Sequence, residues 1–181
     1  MRLVMEQDTA VSPYEITDLK ADRGFRVTLP ILVLLFTPIT VVYESLLEPT
    51  ISIFFLIGRV YYRPISMHLI IELFFDYPIT FLVISVPALI ATIVSSWMLR
   101  RLSNKSISSR GASLVIAGVT VVWALYLSIY FFGSLSIGHL FVGPFPLPFG
   151  PIAAIFSQEY IMKLTEQIDE LERSNSGLVD S

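Results

Sequence analysis

Across residues 77–158 there is no Asp or Glu, and the only Lys or Arg residues are Arg100, Arg101, Lys105 and Arg110. A soluble domain carries charge on about a quarter of its residues, because most of its elements turn one face to water. Here the four bases sit together and leave an uncharged run on each side, 77–99 and 111–133. At 1.5 Å per residue a helix of roughly 23 residues reaches about 34 Å, enough to cross a hydrocarbon core of about 30 Å. Composition agrees: 54% of residues are hydrophobic, 15% are charged, and mean hydropathy is +0.72. The net charge of −3 therefore conceals a strong segregation along the chain.

A third apolar run, 27–47, is broken only by Glu44 and reads as a first crossing. Pro30 suits its first turn, and Pro38 predicts a kink. Residues 139–156 are uncharged apart from His139, but prolines 144, 146, 148 and 151 rule out a regular helix there. An extended stretch over 144–148, with a helix starting at Gly150–Pro151, is expected to form a broken fourth crossing. Segment 49–62 is too short to span, and 64–76 reads as a helix begun at Pro64 and lying at the interface, with Tyr61, Tyr62 and Tyr77 at headgroup level.

The fold expected is thus an all-α, polytopic integral membrane helical bundle of three clear transmembrane helices, with a Pro-broken fourth and an interfacial helix. Residues 1–26 form a polar N-terminal tail, 27–156 the transmembrane domain, 157–173 an amphipathic C-terminal helix and 174–181 a disordered tail. Residues 1–26 are of mixed charge, and no small-residue cleavage site closes the run that follows, so that run is expected to remain as a span. Lys20, Arg23 and Arg26, the basic loop 100–110, and Lys163 and Arg173 fall on one side, against Arg59 and Arg63 on the other. Both termini are therefore expected in the cytoplasm.

With no cysteine, disulfides, thiolate catalysis and Cys-based metal centres are excluded. No Lys/Arg array interleaved with aromatics points to nucleic acid. The ionisable residues of the first half recur at intervals of four: Glu44 and Glu48, Arg59 and Arg63, then His68, Glu72 and Asp76. On a helix each set forms one polar stripe. Buried in a bilayer, such stripes would line a proton, cation or anion pathway; at an interface they would simply be solvated. His68, Glu72 and Asp76 also offer a nitrogen and two carboxylates to a metal, but a ligand from a second element is missing, so no metal or other cofactor is assigned. Neither a nucleophile elbow nor a placed acid/base pair is present, and no catalytic residue is assigned.

Near the C-terminus Ile161, Leu164, Ile168 and Leu171 recur at heptad a/d spacing and offer an interface to a second copy or a membrane-protein partner. The function expected is a non-enzymatic accessory or scaffolding subunit held in the lipid bilayer and packed against membrane partners. The alternatives are a small oligomeric transporter or channel using the charged residues of 44–76, and a metal-dependent membrane enzyme.

Overall fold

The computed structural model describes residues 13–45, 49–73, 78–133 and 140–179. Its elements run α1 (Pro13–Phe36), β1 (Thr40–Ser45), β2 (Pro49–Phe54), β3 (Gly58–Arg63), β4 (His68–Leu73), a short helix α2 (Pro78–Thr80), a π-helical turn Phe81–Ser85, α3 (Val86–Ser103), α4 (Ser109–Gly133), β5 (Leu140–Pro146) and α5 (Phe149–Val179). The five strands form one antiparallel sheet in the order β4-β3-β2-β1-β5.

This architecture corrects the all-α bundle of three or four spans. Among the described residues, two helical stretches are long and apolar enough to cross a membrane, Leu82–Ser103 and Ser109–Tyr130, each with a mean hydropathy of 2.1. They match the runs 77–99 and 111–133. The expected span 27–47 is instead a helix that stops at Phe36 and a strand that starts at Thr40. Pro38 has no N–H to continue the helix and pushes Thr37 toward extended backbone; the β-branched run Ile39–Thr40–Val41–Val42 then favours a strand. The expected interfacial helix 64–76 is a turn at 64–67 followed by β4, with Met67 at φ 54 in the turn. The expected broken crossing 139–156 is β5, ending at Pro146, and the first turns of α5, with Gly150 and Pro151 just inside its start.

Helix α1 starts within the segment read as a polar tail, and α5 extends through residues 174–179. The two pack along each other, with α3 against both. Gly150 of α5 marks the tightest point. A Cβ there would lie 2.7 Å from Thr92 Oγ1 of α3 and 3.1 Å from the Pro30 carbonyl oxygen of α1. Only a residue without a side chain lets α5 come this close to the α1 backbone and the Thr92 side chain together.

Helix α3 is built inside out. From Ala88 to Ser96 its buried face is small or hydroxylated (Ala88, Ala91, Thr92, Ser95, Ser96), with the larger Met98, Leu99 and Leu102 buried beyond it, and the Thr92 and Ser95 hydroxyls donate back to the carbonyls of Ala88 and Ala91. Its outward face carries Ile90, Ile93 and Trp97. The turn into α4 closes with the Lys105 N–H donating to Leu102 O and the Ser106 N–H to Arg101 O, with Lys105 at φ 56. That is a Schellman cap, in which the left-handed residue is usually glycine.

Two clusters form the core. In one, Ile39, Val42, Phe54 and Leu56 of the sheet region pack on Ile84, Ala88 and Ala91 before and within α3, and on Trp123 and Leu127 of α4. In the other, Met98, Leu99, Ala112, Ile116, Ala154 and Ile161 join α3, α4 and α5.

Candidate interaction surface

Residues directly opposite in an antiparallel pair share a face, so the register divides the sheet's side chains into two sets. One set contains Thr40, Val42, Ser52 and Phe54, all buried beneath the helices. It continues outward on β3 and β4 as Arg59 opposite Glu72, Tyr61 opposite Ile70, and Arg63 opposite His68. The other set forms two ladders across four strands, Tyr43–Ile51–Tyr62–Leu69 and Val41–Ile53–Val60–Ile71. Every residue in these ladders is apolar or aromatic. Burial falls off along them, from half-buried on β1 and β2 to 64% exposed at Leu69 and 70% at Ile71.

The backbone of β4 points the same way. The two-residue β2–β3 turn is closed by the Phe55 N–H donating to Gly58 O at 2.8 Å. Backbone groups alternate in direction along an antiparallel strand, so Gly58, Val60 and Tyr62 bond toward β2, and Arg59, Tyr61 and Arg63 toward β4. On β4 their opposites Glu72, Ile70 and His68 bond inward. The N–H and C=O groups of Leu69, Ile71 and Leu73 are then directed off the edge of the sheet, where β4 has no strand neighbour among the described residues.

The charged residues singled out from sequence are distributed over this sheet. Arg59 Nε donates to Glu72 Oε2 at 2.7 Å, with the two side chains 29% and 18% exposed. The guanidinium groups of Arg59 and Arg63 lie 5.2 and 5.6 Å from the Tyr61 ring centroid, so that ring sits between two cations on one face of β3. His68 faces Arg63 across the strands. Glu44 is on β1, opposite Thr50 and Phe141. Glu48 and Asp76 lie outside the described residues. Among the described residues, no three His, Asp or Glu side chains come together as a metal site would require. The row therefore acts as a cross-strand ion pair flanked by a cation–π stack.

Of the heptad stripe, Ile161, Leu164 and Ile168 are buried within the chain itself, where α5 packs on its neighbours, and Leu171 is half-buried. A polar contact unmarked by any motif links α5 to α4: the hydroxyls of Ser109 and Ser113 donate to Gln158 Oε1 at 3.2 and 2.9 Å. Gln158 is the last residue before charge resumes, which is the signal in the sequence that could have found it. Lys20 pairs with Glu172 at 2.7 Å, and Lys105 pairs with Asp169. These contacts bring the start of α1, the α3–α4 turn and the later part of α5 to one end of the helices.

Comparison with protein-family models, with curated proteins and with solved structures finds no match to this chain.

Proposed function

We propose that this protein is a membrane-held docking subunit whose β4 edge receives an extended segment of a membrane-protein partner as an added strand. The mismatch on β4 carries the reading. Leu69, Ile71 and Leu73 expose apolar side chains while their backbone groups point off the edge. Lipid suits those side chains but leaves N–H and C=O groups unsatisfied, at several kcal/mol each. Water satisfies the backbone but not the apolar ladder. A partner strand with alternating apolar residues meets both demands, through main-chain hydrogen bonds and side-chain packing.

Membrane insertion by α3 and α4 is supported by the outward placement of their large apolar side chains, including Ile90, Ile93, Leu114, Val122, Leu125 and Ile129. On the first half of α3, small and hydroxylated residues take the inward contacts, as in bilayer packing. The basic α3–α4 turn lies at the same end as the start of α1 and the later part of α5. By the positive-inside rule that end faces the cytoplasm, with both termini there and the sheet toward the opposite side.

The test is a photo-crosslinking residue in place of Leu69, with a control in place of Ile93 on the outward face of α3, both in native membranes. A discrete protein adduct at position 69 that disappears with Ile71→Pro supports strand addition, since proline at an edge blocks an outward N–H while the fold tolerates it. Position 93 is expected to label lipid. Lipid adducts alone at position 69 would overturn the reading.

A further inference from the structure

A cavity of about 410 Å³ opens between α1 and α3 at the end of the molecule that holds the α3–α4 turn. Its wall carries Lys20 and Arg23 from α1, Arg100 and Ser103 from α3, and Asn104 just beyond α3. No acidic residue lines it. Lys20 is held by Glu172 at 2.7 Å, but neither Arg23 nor Arg100 has a carboxylate within ion-pair distance among the described residues. Arg23 and Arg100, on facing helices, line the cavity together with Ser103 and Asn104, and the Glu172 carboxylate reaches Arg23 only at longer range.

From this geometry we infer that the cavity is a binding site for a phosphate group. Guanidinium donors match tetrahedral oxyanions in fork geometry, and charge-assisted bonds of this kind are about twice as strong as neutral ones. The position fits as well. Arg100 closes the uncharged run of α3, and one turn earlier Trp97 lies exposed with the Arg101 guanidinium 5.0 Å from its ring centroid. One turn further along α1 from Arg23, Arg26 stacks over Tyr160 at 4.8 Å. Aromatic rings beside arginines at the end of an apolar helix mark headgroup depth, and basic pockets between helices at that depth take anionic headgroups. The ligand is a phosphate monoester or diester, supplied either by an anionic lipid headgroup or by a soluble phosphate compound. Glu172 is the built-in competitor, because it already occupies Lys20. The site stands apart from the β4 edge, and its loss leaves strand addition untouched.

The experiment uses the full chain purified in an uncharged detergent. Inorganic phosphate and pyrophosphate are titrated by calorimetry, and vesicles of phosphatidylcholine with or without phosphatidylglycerol are compared in flotation and thermal-shift measurements. Binding of the inorganic ions in micelles identifies a soluble phosphate ligand; preference for phosphatidylglycerol vesicles without it identifies a headgroup. In either case Arg23→Gln with Arg100→Gln is expected to weaken the interaction by at least about tenfold, since each substitution removes a charge-assisted bond. Glu172→Gln is expected to strengthen it by freeing Lys20. Gly24→Leu supplies a variant that keeps every charge: Gly24 lines the cavity, and a Cβ there meets nothing within 4 Å, so the larger side chain fills the space without disturbing α1. It too is expected to abolish binding, with size-exclusion profile and helix content unchanged. No binding to either probe, or wild-type binding by the double arginine variant or by Gly24→Leu, overturns the site.

Discussion

Arg59 and Glu72 meet across β3 and β4 with Nε 2.7 Å from Oε2, on the half of the sheet that has left the helical core. Both side chains are well below half exposed, so removing one partner strands a partly desolvated charge. Arg59→Ala or Glu72→Ala alone is expected to destabilise the protein by about 1–2 kcal/mol, less than the full cost of breaking a buried pair. The double variant is expected to cost less than the sum of the two, with a coupling of about 0.5–2 kcal/mol. Denaturant titrations of the four proteins measure the cycle; strict additivity would show that the contact contributes nothing.

Gly58 begins β3 where β4 crosses it most closely. A Cβ there would overlap the Glu72 carbonyl oxygen, a backbone atom held in the β3–β4 ladder. Backbone cannot rotate aside as a side chain can, so Gly58→Ala must displace β4. The expected outcome is loss of amide protection at His68, Ile70 and Glu72, the β4 residues bonded to β3, while α3 and α4 exchange as before. Protection at Ile70 and Glu72 equal to the wild type would contradict the register.

Spacing of four was the decisive ambiguity in the sequence. Residues four apart share a face on a helix, but they also share one on a strand, where side chains alternate with a period of two. Arg59 with Arg63, and His68 with Glu72, share a face as they would on a helix, but that face belongs to the strands β3 and β4. What favoured strands was composition, in the β-branched and aromatic runs Ile39–Thr40–Val41–Val42–Tyr43 and Val60–Tyr61–Tyr62, with prolines 38, 49 and 64 cutting the chain into short lengths. The two helices that needed no such judgement, α3 and α4, were legible because length and absence of charge alone define them. The Arg59–Glu72 pair was not, since its partners are thirteen residues apart and meet only through the strand register. The cavity at Arg23 and Arg100 was equally hidden, because its walls come from helices distant in sequence.

At Gly150 the close approach of α5, α3 and α1 predicts a specific suppressor. Gly150→Ala places a methyl group 2.7–2.8 Å from the Thr92 hydroxyl and methyl. Overpacking of this kind costs about 1–3 kcal/mol. Thr92→Ala removes both clashing atoms, so the pair Gly150→Ala, Thr92→Ala is expected to recover part of the loss, the remainder reflecting the Pro30 carbonyl at 3.1 Å. Thermal melts in detergent check this; a double variant worse than Gly150→Ala alone would contradict it.

Gln158 ties α5 to α4 through two serine hydroxyls and is only 4% exposed. Gln158→Ala deletes the shared acceptor and leaves a cavity, at an expected cost of about 1–3 kcal/mol. The serines recover by donating to their own helix, so Ser113→Ala in that background is expected to be nearly neutral while costing measurably in the wild type. Equal effects in both backgrounds would separate the two residues.

Glu172 gives the pH dependence its sign. The hydrogen bond and charge of Lys20, with a smaller contribution from Arg23, hold its carboxyl below the usual glutamate range. A group with a depressed folded pKa contributes stability that is fully present above its unfolded pKa and is lost as pH falls through the folded one. Wild type is therefore expected to exceed Glu172→Gln in melting temperature at neutral pH, with the gap unchanged until the ordinary carboxylate range is reached. Below that range the gap closes as Glu172 takes up a proton and Lys20 loses its partner. The Glu159–Lys163 pair on α5 titrates in the same direction at its acid, but it is common to both proteins and cancels from the difference. A gap that persists in acid would show that the substitution acts through packing rather than through the ion pair joining α1 to α5.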